Sequence, residues 1–242
     1  MTDTLSTTEP VTTGLYIGGQ QRSTTDVLEV VDPARPGVVV GTAAAASKED
    51  VADAVAAAKA AYPEWSKLSA TERAKQMAAA IEGIADDRDE DARVLSLENG
   101  KIVHEAWVDA LVFEIRWQLA LSLAGEVEAT KVLPPAPGIA VQTTVAHQPI
   151  GVVTVIVPFN WPIAILAAAL PHALLAGNTA IVKPPPSTPL ATTRLVQRVA
   201  EKLPPGVLNI VTGRDSEMAG LIDSPQVAKI LSLIHISEPR DS

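Results

Sequence analysis

The chain has 242 residues, of which 47% are hydrophobic and 3% aromatic, and its formal net charge is -9. This composition predicts a folded, alanine-rich α/β protein and excludes disorder except at the ends of the chain. The acidic balance without a basic cluster argues against nucleic acid or an anionic membrane as partner. The absence of cysteine excludes a disulfide, a thiolate metal site and a thiol nucleophile within these residues.

The start of the chain has no features of a targeting signal. Residues 1–14 are rich in Thr, lack the basic start and apolar run of a secretory signal, and are predicted to form a disordered start. The longest apolar stretch, Ile163 to Leu175, is interrupted by Pro171 and His172 and is too short to span a bilayer. A cytoplasmic protein with no membrane partner is therefore expected.

Residues 15–131 are predicted to contain short strands followed by helices. Leu15–Gly18 and Leu28–Val31 have strand patterns and are separated by a turn-rich stretch, residues 19–25. Ser47 is predicted to cap a first helix, and Ser69 begins a second through an S-x-x-E capping box.

A third helix is predicted from about Ile102 to Leu123, with Leu111, Ile115 and Leu119 together on one face and Trp107 and Trp117 as packing residues. Two charged features precede this helix in the chain. The acidic run 86–91 is predicted to be a solvated helix junction. Glu98 and Lys101 lie three residues apart at a turn, which favours a local ion pair or cap.

Prolines at positions 134, 135 and 137 end this helical section. From Ile139 to Val145 the odd positions are Ile, Val, Thr and Val, whereas the even positions are Ala, Gln and Thr. This alternation predicts a half-exposed strand within the segment of residues 132–149.

Residues 150–230 show the alternation of strand and helix that is typical of a doubly wound parallel sheet. The strands are near-continuous apolar runs, as a sheet covered on both faces requires. In chain order the predicted elements are strand Val152–Val157, helix Trp161–Leu175, strand Thr179–Lys183, helix Pro189–Leu203, strand Val207–Val211 and a further strand beginning near Val227.

Polar residues follow three of these strands. Asn160 follows the first, Lys183 ends the second, and Thr212 and Gly213 follow the third. Ligands bind beyond the carboxyl ends of strands in such sheets, so these residues are predicted to line one edge. In the alternative interpretation, Asn160 is a helix cap and Lys183 is a strand-end charge that reaches solvent. Spacing does not decide between the two, and no G-x-G-x-x-G follows these strands.

Several short motifs of this region, taken together in their order and spacing, are similar to those of a known family. They are Pro149–Val153, Pro158–Pro162, Ala176–Thr179, Val182–Pro184 and Gly206–Val211. Together they resemble the nucleotide-binding domain of the NAD(P)-dependent aldehyde dehydrogenase superfamily. The segment Leu97–Lys101 also resembles that family, so the similarity runs from about Tyr16 to Ile230.

The resemblance implies an oxidoreductase that converts an aldehyde to a carboxylic acid with NAD or NADP through a cysteine thiohemiacetal. It implies that Asn160, with a backbone N–H of the cysteine loop, donates hydrogen bonds to the substrate oxygen as negative charge develops there. Full-length relatives form dimers or tetramers, so a homo-oligomer is expected, with segment 132–149 as its bridging strand. The four histidines lack the spacing of metal ligands, and no metal is expected.

The resemblance also assigns cofactor contacts. Lys183 would bind the adenosine ribose hydroxyls, and Gly213 lies at the same edge. Where NAD-preferring members often carry a ribose-binding glutamate, this chain has Pro186, so the choice between NAD and NADP stays open. The residues that would pass along the cofactor are Ile156, Val157, Pro158 and Phe159.

The family's nucleophilic cysteine, its water-activating glutamate and its whole catalytic domain are missing from this sequence. After Ile230 the family's Phe-Thr-Gly-Ser-like motif is expected, but residues 231–242 depart from it and resemble a translated sequencing-adapter run-on. We therefore expect a non-native tail on an amino-terminal fragment that is inactive alone. The alternative is a catalytically dead relative that binds a nucleotide or a partner.

Overall fold

The computed structural model describes residues 9–134, 137–138 and 141–232, which form three β-sheets and the helices around them. The strands are β1 (Val11–Thr13), β2 (Leu15–Ile17), β3 (Gln20–Arg22), β4 (Val27–Val31), β5 (Val39–Ala44), β6 (Lys131–Leu133), β7 (Thr143–Val145), β8 (Val152–Ile156), β9 (Thr179–Lys183), β10 (Leu208–Ile210) and β11 (Val227–Ser232). The helices are α1 (Lys48–Lys67), α2 (Ala70–Ala80), α3 (Arg88–Asn99), α4 (Val103–Ser122), α5 (Ala124–Glu128), α6 (Pro162–Leu175), α7 (Leu190–Ala200) and α8 (Gly220–Asp223).

The main sheet has six strands in the order β11-β8-β9-β10-β2-β3. Strands β11, β8, β9 and β10 run parallel, while β2 pairs antiparallel with both β10 and β3. The predicted parallel α/β sheet is confirmed, and β9 begins and ends at the predicted residues. A second sheet has the order β1-β5-β4, and β6 pairs with β7 as a separate ribbon.

Helices cover both faces of the main sheet. Ala180 and Val182 of β9 belong to the hydrophobic cluster that includes α6 and α7, whereas Ile181 belongs to the cluster that includes α1. Because successive strand residues point to opposite faces, a strand buried on both sides must be apolar throughout. The doubly wound fold follows from this pattern.

The first two long helices begin where their own sequences predict. Ser47 accepts a hydrogen bond from the Asp50 N–H at 3.2 Å, and the Asp50 carboxylate accepts one from the Ser47 N–H at 2.9 Å. Ser69 and Glu72 form the same reciprocal pair at the start of α2. Each capping box satisfies N–H groups that a helix start leaves without partners.

Two predictions for the beginning of the chain are wrong. Residues 11–13 form β1, which pairs in parallel with β5, so the predicted disordered start does not extend to residue 14. Residues 1–8 lie outside the described residues. β3 occupies part of the stretch predicted as turns, because its polar residues pair at the sheet edge with β2.

The face of α4 that groups Ile115 with Leu119 is not its buried face, whereas the predicted packing of Trp117 is confirmed. Ile115 and Leu119 are 55% and 57% exposed, whereas Phe113 and Trp117 are fully buried. This helix carries apolar residues on two sides, so periodicity alone did not identify the buried side. The larger aromatic pair, with ring centroids 5.3 Å apart, fills the core.

The acidic run 86–91, which extends into the first turn of α3, is also not solvated throughout. Asp91 is fully buried and forms an ion pair with Arg198 of α7. A buried carboxylate requires such a partner, because desolvation strongly disfavours an unpaired charge.

The described residues of the segment predicted as a bridging strand contribute to an exposed two-stranded ribbon. Thr143–Val145 is strand β7, paired antiparallel with β6, whereas residues 141 and 142 are not in a strand. Residues 139 and 140 lie outside the described residues.

Near the carboxyl end of the chain, Leu231 and Ser232 continue β11 beside β8, although they are the first two residues of the predicted tail. Residues 233–242 lie outside the described residues. No helix in the described ranges has both the length and the apolarity that a membrane crossing needs.

Candidate functional site

The candidate site lies at the carboxyl edge of the parallel strands. Ile156, the last residue of β8, is opposite Lys183, the last residue of β9. The Val157 N–H donates to the Lys183 carbonyl oxygen at 3.2 Å, which keeps the two strands together as β8 ends. Ile210, which ends β10, pairs with Val182. The three predicted strand ends therefore meet at one edge.

Asn160 lies in the loop between β8 and α6 and is exposed. Trp161 is the N-cap of α6, and no side chain of the N-cap makes a capping hydrogen bond. The interpretation of Asn160 as a helix cap is therefore wrong. Within the described part of the chain its amide makes no hydrogen bond.

A buried carboxylate from another helix caps α6 instead. Asp109 of α4 is fully buried, and its Oδ1 accepts a hydrogen bond from the Ala164 N–H at 2.5 Å. Its Oδ2 lies 2.9 Å from Nζ of Lys101. Burial raises the pKa of Asp109, while Lys101 and the amides at the start of α6 oppose that rise. Lys101 also lies over the Trp161 ring, 4.2 Å from its centroid.

Two further side chains hold the backbone around Asn160. Nδ2 of Asn99 donates to the Phe159 carbonyl oxygen at 2.6 Å. Arg116 of α4 donates to the Ala164 carbonyl oxygen at 2.5 Å. The loop is thus held immediately before and shortly after Asn160, so this exposed amide projects from a fixed backbone.

Glu98 performs the capping role at α7. Its carboxylate accepts hydrogen bonds from the N–H groups of Leu190 and Ala191 at 2.7 and 2.9 Å. Burial raises the pKa of the Glu98 carboxyl to about 8, and the two amides oppose the shift. The predicted local pairing of Glu98 with Lys101 is wrong, because each side chain reaches a different helix. Segment 97–101 therefore positions the loops that follow β8 and β9.

This burial makes a prediction about pH. Because the folded protein holds the Glu98 proton to a higher pH than the unfolded chain does, the stability contributed by this group is present below its ordinary pKa of 4.5 and lost as pH rises through about 8. The free energy of unfolding is expected to fall by about 3 kcal/mol between about pH 5 and about pH 8. Urea unfolding across that range should show a much shallower decline in Glu98→Gln. The exposed control Glu49→Gln should keep the wild-type decline, and a wild-type decline in Glu98→Gln would contradict the prediction.

Lys183 does not reach solvent, so that alternative is also wrong. The residue is 5% exposed, and its Nζ lies 2.8 Å from Oδ1 of Asp215. Asp215 begins a short 3-10 helix that follows β10, and its side chain is 85% exposed. The buried Lys183 ammonium therefore lies at the edge of the sheet beside the exposed Asp215 carboxylate. The sequence around these two residues did not predict that they pair.

The other predicted cofactor residues differ in exposure. Val157 and Pro158 are buried, Ile156 is half-buried and Phe159 is 61% exposed. Pro186 is exposed in the turn after β9.

Gly213 has a packing role in this structure. It is buried, and a Cβ at that position would lie 2.5 Å from Cε of Met218 and 3.2 Å from the Ala46 nitrogen. A larger residue would therefore displace the segment that carries Asp215.

Two other asparagines of the quoted motifs have structural roles. Asn178 is buried and its Oδ1 accepts hydrogen bonds from Ile150 and Gly151 at 2.7 and 3.1 Å. Asn209 is fully buried and its Oδ1 accepts a hydrogen bond from the Gly18 N–H at 2.8 Å. Of the three motif asparagines, Asn160 alone leaves its amide available to a ligand.

The sequence did not identify Asp109 as a positioning residue, although one signal was present. Asp109 lies on the helix face that also carries Ala106, Ala110 and Phe113, all of which are buried. An acidic residue on a buried face must have a hydrogen-bonding partner elsewhere in the fold. Within the described residues, no group of three or more potential ligands could hold a metal ion.

Comparisons with known proteins show what the chain is similar to. Residues 20–232 match the model of the aldehyde dehydrogenase family. Malonate-semialdehyde dehydrogenase 3 of Geobacillus kaustophilus is 33% identical over 227 residues, which are 92% of this chain and 46% of that protein. The D-glyceraldehyde dehydrogenase (NADP(+)) of Thermoplasma acidophilum is 34% identical over 235 residues, 91% of this chain and 45% of that protein.

A solved structure shows the same similarity. The NAD-dependent aldehyde dehydrogenase of Sinorhizobium meliloti superimposes with a TM-score of 0.82 at 29% identity, over 91% of this chain and 45% of that one. The chain thus spans about half the length of the curated relatives that it matches.

Proposed function

The chain belongs to the aldehyde dehydrogenase family, and on that premise we propose that it supplies the cofactor-binding half and the oxyanion donor of an enzyme that oxidises an aldehyde to a carboxylic acid. The nucleotide would be NAD or NADP. The attacking cysteine would come from a segment that this chain does not contain, since none of its 242 residues is a cysteine.

The observation that carries this proposal is the free amide of Asn160. A neutral donor held on a fixed backbone stabilises developing negative charge without having to reorganise during the reaction. The backbone groups at the start of α6 do not serve instead, because Pro162 has no N–H and Asp109 interacts with the N–H groups of Ile163 and Ala164. A side-chain amide is therefore the donor that this edge offers to a substrate oxygen.

The residues along the edge fit a nucleotide. Lys183 and Asp215 place a hydrogen-bond donor and an acceptor 2.8 Å apart, which suits the neighbouring hydroxyls of a ribose. The exposed ring of Phe159 lies in the same loop as Asn160. When bound, the cofactor would accept a hydride from the substrate. The chain's own residues would bind and orient it.

Assembly and location belong to the same proposal. Val132 and Val145 of the β6–β7 hairpin are 57% and 46% exposed, and we propose that this hairpin pairs with a second copy when the whole protein assembles. We also propose a cytoplasmic location. The proposed substrate of the whole enzyme is a small-molecule aldehyde.

A titration tests the nucleotide half of the proposal. The purified chain, shown to be folded by circular dichroism, is expected to bind at least one of NAD+ and NADP+ in a calorimetric titration. Lys183→Ala should weaken that binding by about tenfold, because it removes a charged hydrogen-bond donor. The matched control is Lys67→Ala, whose side chain is 68% exposed in an ion pair with Glu64. A folded chain that binds neither nucleotide would refute the proposal.

A further inference from the structure

Two basic side chains lie at the site edge, Lys183 at the end of β9 and Arg214 after β10, and both have acidic partners. Nζ of Lys183 lies 2.8 Å from Asp215, and Arg214 forms an ion pair with Asp26. The Arg214 guanidinium lowers the pKa of Asp26, and the charge of Glu217 also acts on Arg214. Two positive groups are therefore accompanied by three negative ones, so the edge offers no excess of positive charge to a phosphate.

The backbone of Asp215 is fixed by its neighbours. The Met218 N–H donates to the Asp215 carbonyl oxygen at 3.2 Å, and the Met218 side chain is buried against Gly213. Just upstream, Thr212 Oγ1 donates to the Ala44 carbonyl oxygen at 2.5 Å, and the Ala46 N–H donates to the Thr212 carbonyl oxygen at 2.8 Å. The carboxylate is exposed, but it is carried by an anchored turn.

We propose that Asp215 selects NAD over NADP. The inference rests on the proposed function, in which Lys183 binds the adenosine ribose. An acidic side chain beside that ribose accepts a hydrogen bond from the 2′-hydroxyl of NAD. Pro186 has no side-chain acceptor with which to perform this role, and Asp215 supplies one from the next strand end, 2.8 Å from the lysine ammonium.

The same carboxylate disfavours a 2′-phosphate. A phosphate that approached Lys183 would come close to the Asp215 oxygen, and like charges at such separations repel strongly. Arg214, the other cation of this segment, would have to leave Asp26 to compensate. NADP+ is therefore expected to bind about ten- to a hundredfold more weakly than NAD+.

The test compares both nucleotides in calorimetric titrations of the folded chain and its variants. Asp215→Asn and Asp215→Ser should bring the ratio of the two dissociation constants close to one, chiefly by strengthening NADP+ binding. Asp215 itself is exposed, but its partner Lys183 is buried, so circular dichroism and urea unfolding must show that each variant is folded before the titrations are compared. Glu64→Gln is the control, since Glu64 is an exposed carboxylate that pairs with Lys67 near the carboxyl end of α1. It should keep the wild-type ratio.

Salt provides a second measurement, because it screens repulsion between exposed charges. Preference for NAD+ that shrinks as salt rises, and that disappears in Asp215→Asn, supports the proposal. A wild-type chain that binds both nucleotides equally, or a preference unchanged in both Asp215 variants, overturns it and leaves the proposed function standing. Failure of the folded chain to bind either nucleotide overturns both.

Discussion

Replacing Asp109 with alanine is expected to lower the free energy of unfolding by about 3–5 kcal/mol, because it leaves a buried lysine ammonium without its partner. The Lys101 side chain is only 7% exposed and has Asp109 as its ion-pair partner. The substitution also removes the acceptor for the Ala164 N–H at the start of α6. Both losses occur in an interior where water cannot readily replace the carboxylate.

Urea unfolding of wild type and variants measures this effect. Glu126→Ala is the control, because Glu126 pairs with Lys131 where both side chains are more than half exposed, and its loss should cost less than about 1 kcal/mol. The double variant Lys101→Met with Asp109→Leu should recover part of the lost stability, since no unpaired charge remains. If Asp109→Ala proved as stable as Glu126→Ala, Asp109 would not be the group that fixes the start of α6.

The start of α6 shows what local sequence can and cannot predict. The helix itself was predictable, since its apolar residues follow a proline at the first helical position. Its cap was not, because Asp109 lies 55 residues before Ala164. Glu98 caps α7 from 92 residues before Leu190. Ser47 caps α1 from the adjacent position, and there the sequence predicted both the helix and its cap.

Burial explains where the helical section departed from prediction. Asp91 was expected in solvent because it lies among other charges, yet Arg198 of α7 pairs with it inside the protein. Because Arg198 is about a hundred residues from Asp91 in the chain, the sequence next to Asp91 gives no sign that this side chain is buried and paired. In α4, the apolar residues Ile115 and Leu119 could have been on either side, and only packing showed that they are exposed.

The candidate site also contains residues whose positions the sequence predicted and residues whose roles it did not. Strand ends place Asn160 and Lys183 at one edge, which the alternation of strands and helices predicts without knowledge of packing. The Asp215 carboxylate was missed, because the short turn that carries it has no strand or helix periodicity. Whether Asn160 was a cap or a free donor depended on which carboxylate reached the amides of α6, and that required the fold.

Purified residues 1–242 are expected to oxidise no aldehyde with either NAD+ or NADP+. The proposed reaction begins with attack of a thiolate on the aldehyde carbon, and this chain has no cysteine to provide it. Asn160 cannot compensate, because an oxyanion donor lowers the energy of a charged oxygen only once a nucleophile has created it. Loss of the nucleophile from a covalent mechanism costs about a millionfold in turnover.

The measurement is the absorbance of reduced nicotinamide after addition of a series of short aldehydes. A thiol-blocking reagent separates the possible sources of any signal. Turnover that disappears with the reagent would come from a contaminating thiol enzyme, since this chain offers the reagent no cysteine. Turnover that persists would show that the chain oxidises aldehydes without a thiolate. In that case Asn160 would have to act on an oxyanion formed by another nucleophile, such as water, and the proposed division of the reaction between this chain and a missing half would be wrong.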